Sequence, residues 1–127
     1  MNQPVTILYI DDEQINLMLF KMNFRRDFNI ITAEDGQEAL NILHTNNDIK
    51  IVISDMKMPG MTGVELIQKA KIDYPDIYYF ILTGYDITKE IAEALENKSI
   101  LKCFRKPFNL VEIKDSINVA LKINPSG

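Results

Sequence analysis

The sequence predicts a doubly wound α/β domain in which five parallel strands alternate with five helices. Two observations predict this fold class. Five short apolar segments recur along the chain, and longer segments with helix-like composition separate them. Most of the short segments are apolar throughout, which is typical of strands covered on both faces of a parallel sheet. Sheets of this class carry their binding sites beyond the carboxyl ends of the strands.

The predicted strands span residues 5–10, 28–33, 49–54, 77–82 and 100–105. The last segment mixes Lys102 and Arg105 with apolar residues, so we expect it at an edge of the sheet. Helix starts are predicted where a capping side chain lies three residues before a carboxylate. These pairs are Asp35 with Glu38, Thr62 with Glu65, and Asn109 with Glu112.

The composition is that of one globular domain. We expect residues 1–127 to form a single unit, with a core over residues 4–122 and a loose tail at 123–127. The net charge of −4 argues against nucleic-acid binding, which requires a concentrated basic surface. Cys103 is the single cysteine, which excludes an internal disulfide and a cysteine-based metal site. No apolar run approaches the roughly 20 residues that span a membrane, and no signal sequence is recognisable. We therefore expect a cytoplasmic protein without membrane contact.

Acidic residues follow two of the predicted strands at the point where each strand ends. Asp11 and Asp12 follow the first strand, and Asp55 follows the third. Because the carboxyl ends of parallel strands meet at one edge, we expect these three carboxylates to converge. Like charges repel unless a cation neutralises them, and hard oxygen ligands suit Mg²⁺ (or Mn²⁺). Thr83 and Lys106 follow the fourth and fifth strands and would reach the same edge.

Each of these residues also has an ordinary structural interpretation. Asp11 and Asp12 could cap the first helix, and Asp55 could form a turn. Thr83 followed by a glycine is compatible with a turn, and a lysine before a proline, as at Lys106, is usually solvated. The combination at successive strand ends favours a functional site over these separate explanations.

With Asp11-Asp12, Asp55, Thr83 and Lys106-Pro107 in this order, essentially the whole chain resembles the receiver domain of two-component response regulators. The segments 35–40 (DGQEAL) and 55–63 (DMKMPGMTG) add local agreement. The resemblance implies a flavodoxin-like, CheY-like (βα)5 sandwich with strand order 2-1-3-4-5 and a cis peptide bond before Pro107. It also implies a protein that is not an enzyme in the usual sense, because it catalyses only its own phosphorylation and slow self-dephosphorylation.

The resemblance further implies that Asp55 accepts a phosphoryl group from a phosphohistidine on a histidine kinase or a histidine phosphotransfer protein. This fits the chemistry, because a carboxylate can form an acyl phosphate and phosphoryl transfer depends on positioning and charge neutralisation. Lys106 and Thr83 would contact the phosphoryl oxygens. Asp11 would act through a water. The implied metal ligands are Asp11, Asp12, Asp55 and the backbone carbonyl of Lys57. Phosphorylation would alter partner binding through the loop after Thr83 and the last strand.

Two positions depart from the usual pattern of this family. The residue three before the site lysine is usually an aromatic that swings inward after phosphorylation, and here it is Cys103. Phe104 comes one residue later and therefore points to the other face of the strand, where we expect it in the core. Lys57 and Tyr85 flank the route by which water would attack the acyl phosphate. Because both are bulky, we predict slow self-dephosphorylation.

The first helix is apolar almost all round. Spacing alone favours Ile15, Met18, Leu19 and Met22 as its buried stripe. The family register instead buries Asn16, Leu19, Phe20, Asn23 and Phe24, and we adopt that register because the order of the site residues fixes the helix relative to the strands. Ile15, Met18 and Met22 would then form an exposed, methionine-rich patch suited to docking a histidine-bearing helical partner. The alternative is a helix that is simply more buried than usual.

Three other classes of protein are disfavoured by particular residues. A metal-dependent phosphatase needs a second carboxylate two residues after the nucleophile, where this chain has Lys57. A flavin-binding module needs a phosphate loop after the first strand, where Asp11 and Asp12 would repel a phosphate. An unphosphorylated interaction module need not retain the whole set of site residues. The sequence leaves open whether the receiver is free-standing or excised from a longer regulator.

Overall fold

A computed structural model describes residues 4–123 of the chain and confirms the predicted fold class. Five parallel strands form one sheet in the order β2-β1-β3-β4-β5. The strands are β1 (Thr6–Ile10), β2 (Asn29–Ala33), β3 (Ile49–Asp55), β4 (Tyr78–Thr83) and β5 (Lys102–Arg105). The helices are α1 (Gln14–Phe24), α2 (Gly36–Thr45), α3 (Gly63–Asp73), α4 (Lys89–Glu96) and α5 (Leu110–Ile123). Each predicted strand overlaps an observed one and differs from it by at most two residues at either end.

The burial of the strands follows their position in the sheet. The central strands β1, β3 and β4 are buried along nearly their whole length, as expected for strands covered on both faces. β5 lies at one edge, as its mixture of charged and apolar residues predicts, and β2 lies at the other. Of the predicted tail at 123–127, Ile123 is the last residue of α5, and the other four lie outside the described residues.

Side chains alternate across the strands and divide the core into two layers. We call the first the aromatic layer, because five buried phenylalanines, the partly buried Phe108 and the buried Tyr9 pack there between the sheet and the helices α1 and α5. The second, the aliphatic layer, packs between the sheet and the helices α2, α3 and α4. Phe104 lies in the aromatic layer and stacks on Phe80, whereas Cys103 packs on the aliphatic side. The prediction that Phe104 belongs to the core is therefore confirmed.

The three predicted helix starts are confirmed by their capping hydrogen bonds. Asp35 accepts a hydrogen bond from the backbone N–H of Glu38, and Asn109 does the same for Glu112. Thr62 and Glu65 form a reciprocal capping box at the start of α3. Since Thr62 comes seven residues after Asp55, this cap fixes the far end of the loop that leaves the candidate site.

The buried face of α1 differs from both sequence expectations. Leu17, Phe20 and Phe24 point into the aromatic layer, at a spacing typical of one helix face. Phe20 and Phe24 follow the family register, but Leu19 and Asn23 are exposed, so that part of the expectation is wrong. The reason is that the buried stripe runs through Leu17 instead of Leu19.

The other side of α1 is exposed in the way that the family register predicts. Ile15, Met18 and Met22 are each more than half exposed. Asn16 is half-buried and faces the end of the sheet where the acidic residues lie. In residues 4–123, the structure contains no helix of the length and apolar character that crossing a membrane requires.

Candidate functional site

Three carboxylates converge at the carboxyl edge of the sheet. Asp11 and Asp12 directly follow β1, and Asp55 is the last residue of β3. One oxygen from each of the three side chains lies within 4.8 Å of the other two. Asp11 and Asp55 are buried, whereas Asp12 is exposed. The predicted convergence of these acids is therefore present in the structure.

Lys106 joins the carboxylates from the end of β5. Its Nζ lies 2.9 Å from Oδ2 of Asp11 and 3.3 Å from Oδ2 of Asp55. The peptide bond between Lys106 and Pro107 is cis, as the resemblance implies. Three carboxylates and one ammonium leave the site with a formal charge of two negative units. A cluster of oxygen ligands with this excess of negative charge fits a hard divalent cation such as Mg²⁺.

The two buried carboxylates experience different electrostatic environments. Burial would raise the pKa of Asp11, but hydrogen bonds from Lys106, the Glu13 backbone and Tyr9 outweigh it and hold the pKa below its usual value. Burial raises the pKa of Asp55, and the negative charge of Asp11 adds to the rise, while Lys106 opposes it. Asp55 is therefore the carboxylate whose negative charge is less well compensated by the protein itself.

Lys106 is held in its charged form by the same contacts. Burial would lower its pKa, but the hydrogen bond to Asp11 and the negative charges of Asp55 and Asp11 raise the pKa above its usual value. A lysine of this kind is a fixed positive charge at the base of the cleft. It offsets part of the negative charge of Asp11 and Asp55.

The loop after Asp55 is fixed by glycines at two points. Gly63 begins α3 so close to the strand end that a Cβ there would collide with the backbone oxygen of Asp55 and with Ile81. Its N–H donates a hydrogen bond to the carbonyl of Met56 at 2.9 Å, which closes the loop. Gly60 has a φ of 89°, a conformation that side chains rarely adopt. Asp55 is thus placed by strand pairing on one side and by a tightly closed loop on the other.

Thr83 ends β4 and lies beside Lys106. Its carbonyl accepts a hydrogen bond from the Lys106 backbone N–H at 2.8 Å. The buried Thr83 hydroxyl accepts a hydrogen bond from the Tyr85 N–H at 3.1 Å, which leaves its own proton available to donate. The structure therefore places Thr83 at the same edge of the sheet as the acidic residues, as predicted.

Two exposed side chains stand at the mouth of the site. The Lys57 ammonium lies 4.6 Å from the centre of the Tyr85 ring, a cation–π contact between the loop after β3 and the loop after β4. Both residues line an open cleft of about 740 Å³ that also contains Asp12, Asp55 and Lys106. Access to Asp55 from solvent passes through this cleft.

One residue of the site was not predicted from the sequence. Tyr9 lies in the middle of the apolar run of β1, and its hydroxyl donates a hydrogen bond to Asp11 Oδ2 at 2.8 Å. The signal was available, because residues two apart on a strand point to the same face and Tyr9 precedes Asp11 by two. His44, the single histidine of the chain, is exposed in the last turn of α2 and is not among the residues that line the cleft.

The sequence profile of the response regulator receiver domain matches residues 7–118. The chain belongs to this family. Receiver domains serve two-component signalling as regulatory modules and are not enzymes in the ordinary sense.

Two receiver proteins of similar length are related to this chain. The sporulation initiation phosphotransferase F of Bacillus subtilis is 32% identical over 118 residues, which cover 92% of this chain and 94% of that protein. A chemotaxis protein CheY homolog of Campylobacter jejuni is 29% identical over 119 residues and 91% of each chain. Other relatives are much longer. The hydrogenase transcriptional regulatory protein HoxA of Cupriavidus necator is 23% identical, and this chain spans 25% of its length.

Solved structures of receiver domains have the same fold. A response regulator receiver domain from Clostridium thermocellum superposes with a TM-score of 0.85 at 30% identity and covers 95% of this chain and 97% of that one. The response regulator TrrA from Thermotoga maritima, determined in complex with Mg²⁺ and beryllium fluoride, gives a TM-score of 0.79 at 30% identity and covers 91% and 98% of the two chains. A related receiver thus binds a divalent cation together with a fluoride complex.

Proposed function

We propose that this receiver accepts a phosphoryl group on Asp55 from a phosphohistidine, in a reaction that depends on Mg²⁺ or Mn²⁺. One observation carries the proposal: three carboxylate oxygens lie within 4.8 Å of one another, and the Lys106 ammonium lies 3.3 Å from Asp55. This arrangement combines a nucleophile, a cation site and a fixed positive charge in one cleft.

In the proposed reaction, an oxygen of Asp55 attacks the phosphorus of the phosphohistidine. A P–O bond forms, the P–N bond breaks, and the imidazole leaves and takes up a proton. Lys106 neutralises the charge on the phosphoryl oxygens, and the Thr83 hydroxyl donates a hydrogen bond to one of them. The buried position of Asp55 at a strand end keeps its carboxylate in one orientation for this attack.

The cation would be held by Asp12 and Asp55 and by the backbone carbonyl of Lys57, with Asp11 acting through a water. A bound Mg²⁺ supplies positive charge to the phosphoryl oxygens and relieves the repulsion between the carboxylates. Asp11 is suited to the indirect role, because both of its oxygens already accept hydrogen bonds from protein donors. We propose that the chain turns over no separate substrate and acts in the cytoplasm.

The phosphoacceptor is tested by intact mass after incubation with acetyl phosphate. We expect the wild type to gain one phosphoryl group with Mg²⁺ and none with a chelator. Asp55→Asn should gain none under either condition, because an amide cannot form the acyl phosphate. Asp76→Asn, which alters an exposed aspartate on the loop before β4, is the matched control and should behave as the wild type. A phosphoryl group on Asp55→Asn would contradict the proposal.

We further propose that a histidine kinase or histidine phosphotransfer protein docks on α1 near Ile15, Met18 and Met22. These side chains are 55%, 55% and 58% exposed, and Leu19 extends the apolar surface at 42%. α1 begins two residues after Asp12, and its half-buried Asn16 lines the cleft. A helical partner on this patch would therefore reach the acidic residues with a histidine side chain.

Docking is separated from chemistry by comparing two phosphodonors. Met18→Ser/Met22→Ser should slow transfer from a phosphorylated partner by about tenfold, the effect of losing ~1.4 kcal/mol of apolar contact. Phosphorylation by acetyl phosphate should remain at the wild-type rate. Ile72→Ser is the control. Ile72 is 80% exposed and lies in the last turn of α3, at the opposite end of that helix from the loop that follows Asp55. Equal transfer to all variants would remove the docking patch from the proposal.

The proposed output changes partner binding through the loop after Thr83 and through β5. Thr83 is linked to both segments, since its hydroxyl accepts from Tyr85 and its carbonyl accepts from Lys106. Cys103 occupies the place of the usual aromatic and is half-buried against the aliphatic layer. A ring cannot swing at that position, so we propose that the Thr83 loop carries the change.

A further inference from the structure

Tyr9 is buried beneath the acidic residues, and contacts of its ring and of its hydroxyl fix it in place. Its ring stacks on Phe20 of α1, with centroids 4.1 Å apart and planes 14° apart. Its hydroxyl donates to Oδ2 of Asp11 at 2.8 Å, and Tyr9 has no exposed surface. Burial and the nearby charge of Asp11 raise the pKa of Tyr9 far above its usual value, so its hydroxyl remains a donor. Any movement of Tyr9 away from Asp11 would therefore disturb the packing of the aromatic layer.

Lys106 donates to the same oxygen of Asp11 as Tyr9 does, and it also lies close to the carboxylate of Asp55. Its Nζ lies 2.9 Å from Asp11 Oδ2 and 3.3 Å from Asp55 Oδ2, and its side chain is 22% exposed. A phosphoryl group on Asp55 adds oxygen acceptors and negative charge beside this ammonium. As the Lys106 ammonium forms hydrogen bonds to these oxygens, its hydrogen bond to Asp11 would weaken.

The Asp11 side chain has no exposed surface, so any donor that replaces Lys106 must already lie within the site. A buried carboxylate that loses a hydrogen-bond donor is strongly disfavoured unless another donor stays in place. The Tyr9 hydroxyl is already on the affected oxygen. Oδ2 of Asp11 would then retain a donor in both the resting and the phosphorylated site.

We propose that Tyr9 is a positioning residue that holds Asp11 while Lys106 turns to the phosphoryl group on Asp55. The inference rests on the proposed function and extends it to a residue in the layer beneath the site. It means that Tyr9 stabilises the phosphorylated state more than the resting state. Its effect should therefore be larger on binding of a phosphoryl mimic than on binding of Mg²⁺ alone.

The chain offers a matched control for this test. Tyr79 is a second fully buried tyrosine, and its hydroxyl donates to the Tyr74 carbonyl at 2.8 Å in the aliphatic layer, away from the acidic residues. Tyr9→Phe and Tyr79→Phe each remove one hydroxyl and one buried hydrogen bond. Both should lower the thermal unfolding midpoint of the unliganded protein, and Tyr9→Phe should lower it more, because its hydroxyl donates to a charged carboxylate and that of Tyr79 to a neutral carbonyl. A purely structural role for Tyr9 would make the two variants alike in every further measurement.

The measurement is a calorimetric titration of each folded protein, first with Mg²⁺ and then with beryllium fluoride in saturating Mg²⁺. We expect Tyr9→Phe to weaken beryllium fluoride binding about tenfold, the size of one hydrogen bond to a buried charged group. Its Mg²⁺ affinity should change much less, and Tyr79→Phe should match the wild type for both ligands.

The outcomes separate the two proposals. If the wild type binds beryllium fluoride and Tyr9→Phe binds it equally well, the role of Tyr9 is refuted and the proposed function stands. The role is also refuted if Tyr9→Phe loses Mg²⁺ and beryllium fluoride affinity by the same factor, because Lys106 stays on Asp11 when only Mg²⁺ binds. If the wild type binds neither ligand, the proposed function fails and this inference fails with it.

Discussion

The inner and outer halves of the candidate site are built in different ways. The inner half consists of Tyr9, Asp11, Asp55 and Lys106, which are joined by hydrogen bonds and ion pairs of 2.8–3.3 Å at the ends of strands. The outer half consists of Asp12, Lys57 and Tyr85, which are exposed and lie on the loops after β1, β3 and β4. The inner half is held in place by the core. In the outer half, little beyond the cation–π contact between Lys57 and Tyr85 holds the side chains in place.

This difference separates two kinds of constraint. Changing a residue of the inner half breaks a buried ionic network, so it should affect stability and chemistry together. Changing Lys57 or Tyr85 should affect access to Asp55 while leaving the fold intact, because exposed contacts contribute little to stability. Under the proposed function, changes to the side chains of Lys57 and Tyr85 would alter the rate of dephosphorylation without removing a group that takes part in phosphoryl transfer.

The largest effect should come from removing the lysine of the inner half. Lys106→Ala leaves Asp11 and Asp55 facing each other without a cation, and we expect a loss of about 3 kcal/mol in the free energy of unfolding without Mg²⁺. Phosphorylation by acetyl phosphate should slow by about 100-fold or more. Urea denaturation and intact mass measure the two effects.

The control for Lys106→Ala is another lysine in an ion pair. Lys114→Ala removes the pair with Asp27 at 3.0 Å, in which both side chains are at least one-third exposed. Exposed pairs contribute little, so we expect a change below about 0.5 kcal/mol and normal phosphorylation. Equal destabilisation by the two variants would show that the inner half is no more constrained than the surface.

A smaller effect, on rate alone, should come from the outer half. Lys57→Ala/Tyr85→Ala clears the mouth of the cleft for an attacking water. We expect the phosphorylated protein to lose its phosphate about tenfold faster, which corresponds to ~1.4 kcal/mol of barrier. Stability should remain close to that of the wild type.

The decay of phosphorylated protein after removal of the phosphodonor measures this rate by intact mass. Lys50→Ala is the control, since Lys50 is exposed near the opposite end of β3 from Asp55. An unchanged decay rate in the double variant would refute the prediction that these residues slow self-dephosphorylation.

The smallest expected effect is a gain in stability. Burial raises the pKa of Asp55, so its ionised form is disfavoured in the folded protein without a cation. Asp55→Asn should then increase the free energy of unfolding at neutral pH, by on the order of 1 kcal/mol. Mg²⁺ should stabilise the wild type and leave this variant almost unaffected.

The pH dependence of that gain has a definite sign. A group whose folded pKa is raised binds a proton more readily in the folded state, so the wild type regains stability as pH falls through the raised pKa. The gap between Asp55→Asn and the wild type should be widest at neutral pH and close below the ordinary aspartate pKa. Thermal unfolding in a chelator between neutral and acidic pH tests this, and a gap that widens in acid would contradict it.

Much of the fold followed from local patterns. Continuous apolar runs predicted the strands because a strand covered on both faces has no polar side to show. The capping pairs predicted helix starts because a capping side chain satisfies backbone N–H groups within one turn. The buried face of α1 was predicted only in part, since a helix that is apolar all round carries no periodic signal and the packing of Leu17 against the aromatic layer decided it.

The sequence by itself determined the chemistry offered at the strand ends, because the order of Asp11, Asp55, Thr83 and Lys106 after successive strands requires them to meet. Only the tertiary structure decided which hydrogen bonds and ion pairs each of these residues makes. Folding places a tyrosine hydroxyl and an ammonium on one buried oxygen of Asp11 and leaves Asp55 the less compensated acid. The reason is physical: a strand pattern fixes the face on which a side chain lies, whereas hydrogen-bond partners depend on distances between segments far apart in the chain.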